Sequence, residues 1–189
     1  MKGKIIILSA PSGTGKSTII SSLINIPELS LGFSISATSR KPRGQEQHGK
    51  DYFFLTEEEF QKKVDNGEFV EWEEVYAGTR YGTLESEVAR VTESGHNLIM
   101  DVDVKGALNI KKRFGKEALS IFVMPPDIDT LKSRLVARGT DSPDTIQKRL
   151  AKAEYEMGFA KDFDTVVVND ILSDAVDKVA CKIREFAKL

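Results

Sequence analysis

The chain has 189 residues, 40% hydrophobic and 30% charged, with a formal net charge of -2. That length holds one good core with room for inserted subdomains, and the near-neutral balance excludes nucleic-acid binding by bulk positive charge. The single cysteine, Cys181, has no partner for an internal disulfide, and no apolar stretch has the length of a membrane span.

At the N-terminus, MKGKIIIL is basic then apolar, too short in its apolar part for a secretory leader, so the chain reads as cytoplasmic. KIIIL at 4–8 is a β-branched run suited to a buried strand, and STIISSLI at 17–24 has helical apolar spacing. Between them lies APSGTGK, with Ala10 where the phosphate-loop pattern asks for its first glycine. The physics asks for less than the pattern. Inward N–H groups of Ser12, Gly13, Thr14 and Gly15, followed at once by a helix N-terminus, would cradle phosphates. The Lys16 ammonium would reach them, with Ser17 and Thr18 supplying hydroxyls, Ser17 on a magnesium ion. Alanine at 10 fits provided its φ is negative.

Residues 33–87 break the strand–helix rhythm and read as a small α+β insertion. FSISATS, DYFFL and EFVEWEEVY are strand-like, and TEEEFQKKVDNG is a helix opened by a Thr56 to Glu59 capping box. Arg40 and Arg43 stand three apart beside a proline, either a fork for a phosphate or a solvated basic turn. Tyr52, Glu71, Tyr81 and Thr83 together suit a phosphorylated, polar, planar ligand, while Trp72 reads as packing.

The rhythm resumes with strands at 97–102, 118–123 and 165–168, a pattern for a parallel sheet covered on both faces. Asp101, ending LIMD, is either a carboxylate acting on magnesium through water or a strand-end cap. Residues 126–154 read as helix, a turn at Gly139, and a helix capped by Ser142 with Pro143 at its first position. Arg134, Arg138, Lys148 and Arg149 make it a basic flap. The last helix is expected to start from a Ser173 cap, with Val176, Val179, Ile183 and Phe186 on its apolar face and Cys181 as packing.

APSGTGKST, SATSRKPRGQEQHGKDYFF, EFVEWEEVYAGTRYGT, LIMDVDVKGA, LKSRLVARGT, IQKRL and VVVND run in order along nearly the whole chain, and in them it resembles the guanylate kinases. The resemblance implies an α/β P-loop fold with a central parallel sheet flanked by helices. Its core would be 1–32, 88–125 and 155–189, with an inserted α+β GMP-binding region at 33–87 and a helical lid at 126–154. It implies transfer of the γ-phosphate of ATP to GMP with magnesium, and ATP and GMP as partners of a monomer or small homo-oligomer. Ser36, Glu71 and Thr83 would then contact guanine, with Asp103 nearby, while Arg40, Arg43, Tyr52 and Tyr81 would hold the GMP phosphate. Arg134, Arg138 and Arg149 would come from the lid to the transferring phosphoryl, with Asn169 and Asp170 beside ATP. Lys16, Arg43, Arg138 and Arg149 would be catalytic. Ala10 and Lys105 depart from the usual family residues.

The residues themselves support this ligand. Guanine offers a ring N–H and an amine beside a carbonyl, so Glu71 can accept twice while Ser36 or Thr83 donates. Adenine places an acceptor where guanine has the ring N–H, which leaves a buried carboxylate unpaired. The acceptor phosphate, with a second pKa of about 6, is already largely dianionic at neutral pH. No base is needed, so His48 and His96 receive no catalytic role.

Overall fold

The computed structural model describes residues 2–189 except 77, 138 and 140, and of residues 75 and 76 the backbone alone. β1 (Ile5–Ser9) is buried along its whole length because helices cover both of its faces. Ile6 and Leu8 pack with Ile19, Ile20 and Leu23 of α1 (Lys16–Ile24) and with Val179 and Ile183 of α7 (Leu172–Ala187). Ile5 and Ile7, pointing the other way, join Val88 and Val91 of α3 (Glu85–Glu93) and Val104 and Ile110 of α4 (Val104–Phe114). Beside β1 lie β7 (Asn97–Asp101) and β8 (Ala118–Met124), then β2 (Leu31–Phe33) outside β7 and β9 (Thr165–Val168) outside β8. Every pairing in this sheet is parallel. After β1 the chain crosses to β2 at the edge, so strand order reverses at β1. The crevice at the carboxyl ends of such strands is where open α/β sheets take ligands.

A second sheet has the order β4 (Phe53–Phe54), β3 (Ala37–Thr38), β6 (Thr79–Leu84), β5 (Phe69–Tyr76). The run FSISATS, expected as one strand, is divided: Phe33 ends β2 in the first sheet and Ala37 starts β3 in the second. The sequence reading assigns no strand to β6, whose Gly82 weakens the strand signal. Glycine is required there, since a Cβ would lie 2.7 Å from the Glu71 carbonyl oxygen and 2.8 Å from the side chains of Phe69 and Trp72. α2 (Glu57–Asp65) starts from the expected capping box: Glu59 N donates to Thr56 Oγ1 at 3.1 Å, and Thr56 N to Glu59 Oε2 at 2.8 Å. Its Phe60 stacks on Phe69 with ring centroids 4.5 Å apart and meets Trp72 edge-on. A register shift between Phe69 and Glu71 lets both aromatics reach the same helix. Trp72, with the Arg80 guanidinium 5.6 Å from its ring centre, is still 42% exposed.

α5 (Ile128–Ala137) and α6 (Pro143–Met157) form a helical pair with its own small core of Leu131, Leu135, Ile146, Leu150 and Ala153. Ser142 caps α6 and Pro143 opens it, as expected. Two expectations at the C-terminus need correction. α7 begins at Leu172 with Ile171 in the cap position, so Ser173 lies inside the first turn and its hydroxyl turns to Asp174. Cys181 is exposed, because it falls off the stripe formed by Val176, Val179, Ile183 and Phe186. No helix among the described residues is long and apolar enough to cross a membrane.

Candidate active site

Residues 10–15 turn between the end of β1 and the start of α1. Gly13 and Gly15 have φ of 94° and 95°, the left-handed region where a side chain is strained. A Cβ on Gly15 would also lie 2.6 Å from Asn169 Nδ2. Ala10 keeps a negative φ, so the missing first glycine leaves the turn intact. The Thr14 carbonyl accepts from Asn169 Nδ2 at 2.7 Å and from Arg134 Nη1 at 3.4 Å. Arg134 Nη2 donates to the carbonyls of Asn169 and Asp170 at 3.0 and 3.3 Å. The structure therefore places Arg134 and Asn169 as braces outside the loop, with the Asp170 side chain exposed beside them.

Inside the loop is a cavity of about 360 Å³ lined by Ser12, Gly13, Gly15, Lys16, Ser17 and Thr18, with Asp101 and Asp103 opposite and Arg149, Lys152 and Glu156 reaching in from α6. Lys16 Nζ pairs with Asp101 and donates to the Val102 carbonyl at 3.2 Å. Asp101 is not the cap of the following turn. That task belongs to Asp103, whose Oδ1 accepts from Gly106 N at 2.7 Å at the start of α4.

A neighbouring cavity of about 290 Å³ is lined by Ser36, Tyr52, Glu71, Glu73, Tyr81, Thr83 and the stretch Asp101 to Asp103. It gathers most of the residues singled out in the insertion, because Glu71 faces Thr83 and Glu73 faces Tyr81 across the β5–β6 ladder. Thr83 Oγ1 donates to Glu71 Oε1 at 2.7 Å. Burial holds the Glu71 carboxyl above the ordinary carboxylate range, against the Thr83 hydrogen bond and with help from Asp103. Glu73 is pushed up to about 7, chiefly by its hydrogen bond with Asp103 and then by burial. A desolvated carboxylate backed by a hydroxyl is suited to neighbouring N–H donors on a planar base.

Arg40 lies behind this cavity. Its Nε donates to the Tyr81 hydroxyl at 3.0 Å, its guanidinium stands 5.0 Å from the centre of the Tyr52 ring, and Nη1 and Nη2 fork onto Glu46 at 2.6 and 2.8 Å. This pair raises Arg40 and holds Glu46 down at about 2. Arg43 is in the exposed turn, its N–H on Glu46 at 2.8 Å. Arg149 is 2.9 Å from Asp141. Arg138 lies outside the described residues.

Sequence reasoning overlooks Glu73, Lys152 and Glu156. Period-two spacing from Glu71 flags Glu73, and helical spacing from Arg149 flags Lys152. It also overlooks buried Glu87, which accepts from Ile35 N at 2.7 Å and from Arg90 Nε and Nη2 at 2.8 Å each. That anchor fixes the connector carrying Ser36, and only tertiary structure reveals it.

Comparison with known proteins covers nearly the whole chain. A family model described as guanylate kinase matches residues 2–186. A guanylate kinase from Bacteroides thetaiotaomicron is 56% identical over 186 residues, covering 98% of this chain and 91% of that protein. Another from Porphyromonas gingivalis is 55% identical over 183 residues, covering 97% of each. The crystal structure of guanylate kinase from Anaplasma phagocytophilum has a TM-score of 0.74 and 28% identity, over 100% of this chain and 88% of that one.

Proposed function

Because the chain belongs to the guanylate kinase family, we propose that its two cavities hold ATP and GMP and that the enzyme transfers the γ-phosphate of ATP to GMP, and to dGMP, giving ADP and GDP. One observation carries this reading at the level of residues: the loop-lined cavity and the Glu71-lined cavity share Asp101, Val102 and Asp103. Two anionic ligands seated in them meet end to end beside Lys16, the arrangement an in-line transfer needs.

In this reading the division of the chain follows function. Residues 33–87 form the GMP-binding region, 126–154 the lid, and the remainder the core. On the donor side the loop from Ser12 to Thr18 wraps the phosphates, while Arg134, Asn169 and Asp170 border the rest of ATP. On the acceptor side Ser36, Glu71, Thr83 and Asp103 read guanine, and Tyr52, Tyr81, Arg40 and Arg43 hold the GMP phosphate. Lys16, Arg43, Arg138 and Arg149 balance the charge that builds as an acceptor oxygen bonds the γ-phosphorus and the bridging oxygen to the β-phosphate departs. Lid closure keeps water from taking the place of GMP.

Ser17 and Asp101 line one cavity and are hard oxygen donors. Among the described residues no cluster of three or more His, Cys, Asp and Glu could hold a cation alone. That sparse set fits magnesium, which keeps several waters and takes nucleotide oxygens. Bound there with ATP, the ion would neutralise phosphate charge. A cytoplasmic location and a monomer or small homo-oligomer go with the reading.

Calorimetric titration with GMP and AMP tests it. GMP should bind the wild type at least about 100-fold more tightly than AMP, and Glu71→Gln should erase most of that difference, because a site built for guanine's donors is left unpaired by adenine. Equal affinity for both in the wild type would remove the acceptor assignment.

A further inference from the structure

Guanine's edge carries three N–H hydrogens, one on the ring and two on the exocyclic amine. The Glu71 carboxylate, with Oε1 already taking the Thr83 hydroxyl at 2.7 Å, can meet the ring hydrogen and one amine hydrogen. The second amine hydrogen needs another acceptor. Asp103, also set against guanine in the reading above, has Oδ1 committed to the Gly106 N–H at the start of α4 and keeps only its other oxygen for the base. Glu73 stands two residues along β5 from Glu71, on the same cavity wall, with Tyr81 opposite it in register. We propose that Glu73 is a specificity-determining residue that accepts a hydrogen bond from the exocyclic amine of guanine and so separates GMP from purine monophosphates that lack this amine. The inference rests on the GMP reading above and adds a contact to it.

Glu73 is well supplied for the task. Asp103 lines the same cavity, with one of its oxygens held by the Gly106 N–H, and the Glu73 carboxylate brings two acceptor oxygens to that wall. Glu71 lies two residues away on β5, and Asp103, the cap of α4, and Lys105 within that helix line an adjoining cavity with Lys152 and Glu156 of α6. Glu71, Glu73 and Asp103 make that wall predominantly acidic. An amine with two polarised hydrogens complements such a wall; a bare C–H does not.

The test compares kcat/KM for GMP and for inosine monophosphate, which carries a hydrogen in place of the amine. Glu73→Ala should lower the GMP value about tenfold, the worth of one hydrogen bond, through KM rather than kcat, with a much smaller loss for inosine monophosphate. Glu73→Gln, which keeps an acceptor oxygen and a donor to Asp103, should restore most of the GMP preference. If the alanine variant does not fold, Glu73→Met keeps the bulk without the acceptor and reads the same ratio. An unchanged GMP-to-inosine ratio, or equal losses for both substrates, overturns the inference. A wild type inert with both substrates fails the phosphotransfer reading itself and takes the inference with it.

Discussion

Lys16 joins the two halves of the site, since its ammonium lies in the donor cavity and pairs with Asp101 on the wall shared with the acceptor cavity. Lys16→Ala should therefore reduce kcat by about 10²–10³-fold, the scale for removing one preorganised donor to developing charge, while the KM for GMP moves little. Near-normal turnover in that variant would contradict the phosphate-loop assignment. Glu73 gives a pH signature at the same scale. Folding raises its carboxyl from the ordinary 4.5 to about 7, so between those values the folded chain holds more protons than the unfolded one. Stability from this group is present at low pH and is lost as pH rises through that window. The melting temperatures of wild type and Glu73→Gln should lie closest near pH 4.5 and diverge in favour of the variant toward pH 8. A constant difference across that range would contradict the assignment.

The β5–β6 hairpin depends on α2 for its shape, and Phe60 is the contact that joins them, fully buried between Phe69 and Trp72. Phe60→Ala should cost about 3–5 kcal/mol, read by denaturant unfolding, and should raise the KM for GMP more than that for ATP, because Glu71 and Thr83 ride on the hairpin. Ser142→Ala, removing the cap of α6, should cost about 1 kcal/mol. The elements best read from sequence are those with strong local signals: the apolar runs of β1 and β8, the glycine loop, the Thr56 box and the Ser142–Pro143 start. Those misread depended on distant partners. FSISATS looks continuous because nothing local marks the change of sheet between Phe33 and Ala37, and β6 is a strand only because Gly82 lets β5 approach. Glu71, Tyr81 and Thr83 were legible as chemistry but not as neighbours, and the Glu87 anchor on Ile35 had no local mark at all.

At the scale of the whole molecule, three separate apolar clusters lie beyond a single sheet face: the second face of the main sheet, the α5–α6 pair, and the hairpin with α2. The proposed closure moves the pair and the hairpin as units about the main sheet, each carrying its own small core. Small-angle scattering should show a more compact particle with GMP and a non-hydrolysable ATP analogue together than with neither, and superimposable profiles would argue against closure. Chelating magnesium should abolish turnover while the fold, followed by circular dichroism, stays intact, since in the proposed reading the sparse oxygen set at Ser17 and Asp101 serves the nucleotide rather than the core. The most direct measurement is coupled detection of ADP released from ATP and magnesium with GMP, AMP, CMP, UMP or no acceptor. The account predicts rapid release with GMP and only background with the others. Equal release with AMP, or none with GMP from folded protein, would contradict it.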